Sequence, residues 1–111
     1  MQMAKSMTKY VRISPRKARL AAGLIRGKSV EEATLQLMFS KLRAGKLLRK
    51  TLDTAVANAE TQLNVQRRDL KVHEVRVDAG PVMKRAKPKN RGGSAPVMKR
   101  TSHFTVVVAA K

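Results

Sequence analysis

The chain has 111 residues, enough for one small domain, and its 25 Lys and Arg residues against 7 Asp and Glu residues give a formal net charge of +18. Such charge destabilises a compact free state through self-repulsion, so we expect a polyanionic partner, either nucleic acid or an anionic membrane surface. The sequence has no apolar run of about 18 residues for a membrane span and no secretory h-region. Without cysteine the chain forms neither disulfides nor thiolate metal sites, which is typical of a reducing cytoplasm.

A strand and a helix are predicted at the start of the chain. Residues Ala4–Ile13 alternate loosely between apolar and polar side chains and include the strand formers Tyr10 and Val11. The dipeptide Ser14-Pro15 then supplies a helix N-cap and a first helical residue, and Gly27 supplies the stop. The apolar face of this helix consists of Ala18, Ala21, Ala22 and Ile25, widened by Leu20 and Leu24.

Three cations, Arg16, Lys17 and Arg19, lie in the first turns of this predicted helix. That end of a helix favours anions, so cations are unexpected there unless a phosphate binds beside them. The pattern therefore predicts a phosphate contact at the helix start, with ordinary solvated charges as the alternative.

Two further helices and two strands complete the predicted core. Ser29–Glu32 is a capping box that begins a second helix. A run with five bases, Lys41–Lys50, leads into a third and longer helix that ends near Asn64. The core face of the third helix consists of Leu48, Leu52, Ala55, Val56, Ala59 and Leu63. The Val-rich segments Leu70–Val77 and His103–Ala110 are predicted strands.

The segment between those two strands predicts a long β-hairpin. The sequence PVMKR occurs twice, at Pro81–Arg85 and Pro96–Arg100, and turn-forming Pro, Asn and Gly residues lie between the copies. Folding the arms together places Pro81 near Arg100 and Met83 near Met98. The arms have no alternating apolar face, and a hairpin without a core is marginal in water. We therefore expect an anionic partner to hold it.

Catalysis and metal binding have no support in the sequence. No spaced pair of carboxylates suggests general acid–base chemistry, and Gly92-Gly93 lacks the GxxxxGK[ST] pattern of a phosphate loop. His73 and His103 fall on neighbouring predicted strands, but two histidines without cysteine or an acidic cluster make a poor metal site. We predict that the protein is not an enzyme and takes no cofactor, metal or small-molecule substrate.

The aromatic content indicates which kind of nucleic acid is expected. Only Tyr10, Phe39 and Phe104 are aromatic, too few for the exposed stacking surface of a single-strand reader. Folded RNA, bound by its shape and its phosphates, is therefore favoured. Double-stranded DNA ranks lower, because its readers need a recognition helix and the most basic segments here are a hairpin and a helix start.

Three blocks of sequence resemble a known family. VRISPRKARLAAGLIRGKSVEEA, ANAE and VDAGPVMKR…KRTSHFTVVV are similar to the universal large-subunit ribosomal protein twenty-two family in its short bacterial form, over nearly the whole chain. The resemblance implies an α+β fold of three helices packed on a small three-stranded antiparallel sheet, with a long protruding β-hairpin. It implies one domain, with a globular part at about 1–79 and 101–111 and the hairpin at about 80–100.

The same resemblance implies a function. Members of the family bind large-subunit rRNA early in assembly, and their hairpin reaches the wall of the polypeptide exit tunnel. The implied partners are large-subunit rRNA, neighbouring large-subunit ribosomal proteins and the nascent polypeptide, in the cytoplasm of a bacterium or in an organelle ribosome, without membrane insertion. The sequence GGSAP at Gly92–Pro96 departs from relatives, which more often carry another base there, so the tip is expected to be slightly less charged.

Two sets of site residues follow from the basic pattern and the resemblance. The expected rRNA-binding residues are Arg12, Ser14, Arg16, Lys17, Arg19, Lys84, Arg85, Lys87, Lys89, Asn90, Arg91, Lys99, Arg100, Thr101, Ser102 and His103. The expected tunnel-facing residues of the hairpin tip are Met83, Lys84, Arg85, Lys87, Pro88, Lys89, Asn90, Arg91, Gly92 and Gly93.

Two other functions stay open from the sequence. A free-standing architectural DNA protein also uses basic β-arms. A membrane-surface protein would need an amphipathic helix with bulky apolar anchors, whereas the third predicted helix offers mainly Ala and Leu on a face that the core needs. Preference for RNA over DNA would separate the first of these from an rRNA-binding protein.

Overall fold

The computed structural model describes residues 3–88 and 94–110, which form three helices and five strands in two antiparallel sheets. The elements in chain order are β1 (Met3–Val11), α1 (Pro15–Ile25), α2 (Val30–Met38), α3 (Arg43–Leu63), β2 (Leu70–Ala79), β3 (Met83–Pro88), β4 (Ser94–Lys99) and β5 (Ser102–Ala110), with a 3₁₀ turn at Arg67–Asp69. Strand β5 is central in the three-stranded sheet, between β1 and β2, and β3 pairs with β4. The predicted α+β class, with three helices and a three-stranded antiparallel sheet, is confirmed.

The core lies between the helices and one face of the three-stranded sheet. Its large, fully buried side chains include Ile25, Leu37, Leu48 and Leu52 from the helices and Phe104 from β5. Each such side chain contributes about 1.5–3 kcal/mol through removal from water. The predicted apolar faces of α1 and α3 are buried apart from their margins: Leu24 and Leu63 are partly buried, and Leu20, which was predicted to widen the α1 face, is exposed. The alanines on both helices allow close approach to the sheet.

The outer edge of β2 is covered by residues that follow or belong to α1. Arg19 donates through Nε and Nη2 to the Val77 carbonyl oxygen at 3.3 and 3.1 Å, and Arg26 Nη2 donates to the Val75 carbonyl oxygen at 2.8 Å. The Val72 N–H donates to the Lys28 carbonyl oxygen at 2.8 Å. An open edge strand is a template for unwanted pairing, so these bonds both attach α1 and protect the sheet.

Strand β2 contains one extra residue that corrects its hydrophobic register. The pairing with β5 shifts between Val72 and Glu74, which leaves His73 as a bulge. Because of this bulge, Val72 and Val75 both face the core although they are three residues apart. Strict alternation would have turned Glu74 towards the core instead.

The first strand ends two residues earlier than the sequence predicts, at Val11 instead of Ile13. Its pairing with β5 is interrupted between Thr8 and Val11, where Tyr10 has φ 59°, a left-handed value that is uncommon for a residue with a side chain. The Tyr10 N–H donates to His103 Nδ1 at 3.1 Å, and the two rings meet edge to face with centroids 5.0 Å apart. These contacts hold the bend that directs the chain from β1 into α1.

The helix ends follow the predicted signals. Ser14 caps α1, Ser29 caps α2, and both hydroxyls accept a hydrogen bond from a backbone N–H three residues later. Gly27 has φ 79° just after α1, and Asn64 has φ 54° at the end of α3. Both are left-handed positions, where a helix stop is common.

The hairpin pairs in a register one residue away from direct pairing of Met83 with Met98. Met83 lies opposite Lys99 and Lys84 lies opposite Met98, so Met98 is the neighbour of the residue that pairs with Met83, as the prediction that the two lie near each other requires. The cause lies at the hairpin base, where three residues separate Ala79 from Met83 but only two separate Lys99 from Ser102. The extra residue belongs to the irregular segment that contains Gly80 and Pro81, which simple folding of the two repeats cannot reveal.

The hairpin also makes the molecule long. Its principal extents are 63 × 25 × 16 Å, and its Cα radius of gyration is 16.9 Å. A compact domain of 100 residues has a radius of gyration of about 13 Å. The predicted protruding arm is therefore present, and every residue of the buried apolar cluster described for the chain lies outside it.

We expect Gly80→Ala to destabilise the base of the hairpin. A Cβ at Gly80 would overlap the Thr101 hydroxyl and lie 3.2 Å from His103 Cε1. Displacing Thr101 breaks its 2.7 Å bond to the Pro81 carbonyl oxygen, so the free energy of unfolding should fall by about 1–3 kcal/mol in urea denaturation.

Gly23→Ala is the matched control for this substitution. A Cβ at Gly23, in α1, meets nothing within 4 Å, so the change should stabilise the helix by about 0.5–1 kcal/mol. Equal stabilities of the parent and the Gly80→Ala protein would show that the hairpin base tolerates a side chain.

Candidate nucleic-acid interface

The start of α1 is held firmly in place. The Ser14 hydroxyl accepts a hydrogen bond from the Lys17 N–H at 3.3 Å, and Pro15 occupies the first helical position and is buried. The side chains of Arg16 and Lys17 are exposed. The cap and the buried proline therefore fix the backbone from which these two cations extend.

The base of the hairpin lies beside this helix start and forms two grooves with it. The smaller groove, of about 430 Å³, is lined by Ser14, Pro15, Arg16, Arg19, Ala79 and Arg100. The larger groove, of about 730 Å³, runs between the starts of α1 and α3 and the hairpin base, and Arg12, Lys17, Arg43, Lys99 and Arg100 are its cations. Arg100 borders both grooves, so they form one continuous area.

We call this area the basic surface, and it consists of Arg12, Ser14, Arg16, Lys17, Arg19, Arg43, Lys99 and Arg100. Seven of these eight residues were predicted to bind RNA from the sequence. They come from positions 12–19 and 99–100, about 80 residues apart in the chain, and the antiparallel pairing of β5 with β1 and β2 brings them together.

Acidic side chains are absent from the described lining of both grooves. In the described part of the chain, ion pairs join Asp53 to Arg49 and Arg67, and Glu74 to Arg76, at 3.1–3.9 Å, and none of these pairs includes a residue of the basic surface. Helix α2 carries Glu31 and Glu32 in its first turn, as the helix dipole favours, whereas α1 and α3 carry no acid there. The positive charge of the surface is therefore not neutralised by nearby carboxylates.

Arg43 belongs to the basic surface but was not among the predicted site residues. It is the first residue of α3 and lies in the five-base run Lys41–Lys50 that the sequence shows. The five-base run was therefore the sequence feature that could have pointed to Arg43. Only the packing of α3 against the rest of the fold selects Arg43, among the five bases, to face the hairpin base.

Three predicted RNA-binding residues use their polar atoms inside the protein. Thr101 and Ser102 are buried, and their hydroxyls donate to the Pro81 and Ile13 carbonyl oxygens, each at 2.7 Å. His103 accepts the Tyr10 N–H and contacts the Tyr10 ring. These side chains therefore hold the hairpin base in position beside the cations of the basic surface.

The remaining predicted residues belong to the segment that the sequence predicts as the arm. Met83, Lys84, Arg85, Lys87 and Pro88 lie on β3. Lys89, Asn90, Arg91, Gly92 and Gly93 lie outside the described residues. The tunnel-facing role of all these residues stays a prediction.

Two features of the described residues concern metal binding and membrane insertion. Residues 3–88 and 94–110 contain no group of three or more His, Cys, Asp or Glu side chains arranged to hold a metal ion. Within the same part of the chain, each helix is too short or too polar to cross a bilayer.

The fold and the basic surface define the class of this protein as a small, strongly basic α+β protein with a projecting β-hairpin. The chain belongs to the family described as ribosomal protein L22p/L17e, whose family model matches residues 6–109.

Several bacterial proteins are similar to the chain over nearly their whole length. Large ribosomal subunit protein uL22 of Protochlamydia amoebophila (strain UWE25) is 72% identical over 109 residues, which cover 98% of each chain. The proteins of the same name from Chlamydia abortus (strain DSM 27085 / S26/3) and Chlamydia muridarum (strain MoPn / Nigg) are 62% and 61% identical over the same lengths. The predicted family is confirmed, as is the prediction of a bacterial, cytoplasmic ribosomal protein of the large subunit that is not an enzyme.

We expect Ser102→Ala and Lys17→Gln to have opposite effects on stability and RNA binding. Ser102→Ala leaves the Ile13 carbonyl without its buried partner, so unfolding free energy should fall by about 1–3 kcal/mol while the folded protein keeps its RNA affinity. Lys17→Gln alters an exposed cation, so stability should change by less than about 0.5 kcal/mol, whereas the dependence of RNA affinity on salt should weaken.

Urea denaturation and filter binding on the same preparations measure both quantities. If Ser102→Ala weakened RNA binding without loss of stability, the assignment of Ser102 to internal support would be wrong.

Proposed function

We propose that the basic surface binds folded large-subunit rRNA and holds the globular part on it early in subunit assembly. The observation that carries this proposal is the convergence of the α1 start and the hairpin base on one area without carboxylates in its described lining. Arg and Lys contact phosphates in such an arrangement, and these contacts supply most of the affinity for a nucleic acid.

Binding by phosphate contacts and shape fits the composition of this surface. None of Tyr10, Phe39 and Phe104 lines either groove, and Phe104 is buried in the core. A surface of cations without aromatic rings suits the backbone of folded RNA, whose helices are recognised mainly through phosphates and 2′-hydroxyls.

The hairpin extends the same interface away from the globular part. Its paired strands, Met83–Pro88 and Ser94–Lys99, each span about 20 Å at about 3.3 Å per residue. In the proposed function the arm follows rRNA through the subunit, and its tip lines the exit tunnel beside the nascent polypeptide. The globular part contacts neighbouring ribosomal proteins as well as rRNA.

We expect the affinity for bacterial large-subunit rRNA to depend steeply on salt. With about 6–8 phosphate contacts, log affinity should fall against log salt concentration with a slope of about −4 to −7 in filter binding. The double variant Arg16→Gln and Arg100→Gln should reduce the steepness of that slope by about 1.4–1.8, because two contacts are lost.

The double variant Lys5→Gln and Lys50→Gln removes the same charge from exposed positions outside the basic surface and is the control. Its slope should stay close to that of the parent. A parent slope near zero, or equal changes in both variants, would contradict binding through the basic surface. Tight binding to anionic vesicles without preference for RNA would favour a membrane-surface protein instead.

We expect the hairpin tip to crosslink to nascent polypeptide. A photo-crosslinking residue at Asn90 in assembled ribosomes should react with a stalled nascent chain once the chain is long enough to pass the tip. The same residue at Phe39, which is 79% exposed on the globular part, is the control and should not react with chains of that length. Crosslinks from Asn90 to rRNA alone, at every chain length, would leave an assembly role and exclude the tunnel role.

A further inference from the structure

The larger groove of the basic surface contains a feature that phosphate binding does not require. Beside its cations it is lined by the apolar side chains of Ile13, Leu20, Leu42 and Ala44. Leu20 is 61% exposed and Leu42 is 38% exposed. Two large apolar side chains are thus exposed to solvent in a groove that Arg and Lys also line.

Neither leucine belongs to the buried apolar cluster described for the chain. The core face of α1 consists of Ala18, Ala21, Ala22 and Ile25, and Leu20 points away from it. Leu42 is the N-cap of α3 and makes no capping hydrogen bond, at a position where Ser, Thr, Asp or Asn would stabilise the helix. Both leucines therefore leave apolar surface in water, inside the groove, that a partner would cover.

The chemistry of that partner must be apolar and anionic within a small volume. A paired RNA helix presents phosphates and 2′-hydroxyls to a protein and keeps its base faces stacked inside, so it offers nothing to the two leucines. An unpaired nucleotide offers an apolar base face joined to a phosphate. The groove, at about 730 Å³, falls within the range of about 300–1,000 Å³ that is typical of sites for small ligands.

We propose that this groove holds one unpaired nucleotide of the bound RNA, turned out of its helix, with the base against Leu20 and Leu42 and its phosphate beside Arg12 and Arg43. The guanidinium plane of an arginine at the groove, such as Arg100, offers a further stacking surface for the base. The inference rests on the proposed rRNA binding and identifies the part of the RNA that enters the groove.

A protein segment with both acidic and apolar side chains has chemistry similar to that of an unpaired nucleotide and is the alternative occupant of the groove. RNA is favoured because the groove is continuous with the rest of the basic surface, through Arg100, which borders both grooves. A nucleotide turned out of the helix would sit between phosphates that the neighbouring cations already bind. A crosslink from the groove to RNA or to protein distinguishes the two occupants.

Photo-crosslinking from Leu42 in assembled large subunits tests the proposal. We expect a photoreactive residue at Leu42 to crosslink to one rRNA nucleotide. That nucleotide should react with a 2′-hydroxyl acylating reagent and a base-edge reagent in subunits that lack the protein, and it should become protected when the protein is present. A photoreactive residue at Leu35, which is 54% exposed on α2 and outside the groove, is the control and should not reach that nucleotide.

The other outcomes overturn the proposal. A nucleotide that reacts with neither reagent, with or without the protein, is paired. A crosslink from Leu42 to such a nucleotide would exclude an unpaired base from the groove. A crosslink to protein alone, or none, would also exclude it. Photoreactive residues at Arg16 and Arg100 test the underlying function separately, because failure of these to reach rRNA would refute rRNA binding by the basic surface itself.

The double variant Leu20→Ala and Leu42→Ala gives a second, quantitative readout. Without the two leucine side chains the nucleotide should be as reactive as in subunits that lack the protein. The affinity for rRNA should fall by about tenfold, as it does on loss of one stacked base, while the slope of log affinity against log salt concentration stays unchanged. Both leucines are exposed, so the variant should fold, and Leu35→Ala should leave protection and affinity as in the parent. Retained protection in the double variant would overturn the assignment.

Discussion

The burial of Ser102 at the start of the central strand is the constraint on which the rest of the structure depends. Ser102 pairs with Val11 on one side and with Ala79 on the other, and its hydroxyl donates to the Ile13 carbonyl oxygen. One residue thus joins the first strand, the base of the hairpin and the segment that leads into α1. The position of the α1 cations relative to the hairpin cations follows from this junction, because the backbone pairing of position 102 with Val11 and Ala79 holds the segments from which both sets extend.

The packing of the fold and its binding charge are separated in space. Described buried positions are apolar or neutral, and the acids that form described ion pairs, Asp53 and Glu74, pair with arginines outside the basic surface. The cations at the α1 start and hairpin base therefore remain close together without carboxylates in the described lining. Their mutual repulsion is unfavourable in the free protein and is relieved when a polyanion binds, which explains how a net charge of +18 is compatible with a small folded core.

The residues of the candidate site were predictable from the sequence where a pattern of neighbouring residues indicated them. Arg16 and Lys17 stand at the wrong end of a helix for cations, and Arg100 belongs to a repeated basic segment, so each signal lies within a few residues. Arg43 was visible only as one base among five in its segment. The internal roles of Thr101–His103 were not predictable, because whether a hydroxyl or imidazole faces RNA or a backbone carbonyl depends on segments that are distant in the chain.

The sequence by itself determined the basic character, the three helices, the serine caps of α1 and α2, most of the core faces of α1 and α3, the strand content and the family. These features arise from composition, from hydrogen bonds between near neighbours and from side-chain periodicity within one element. Only the tertiary structure decided the bulge at His73, the left-handed turn at Tyr10 and the one-residue offset at Gly80–Pro81. Each of these features depends on the register in which distant segments pair. The register adopted buries the valines of β2 together with Phe104 and also satisfies the hydrogen bonds of the backbone at the hairpin base.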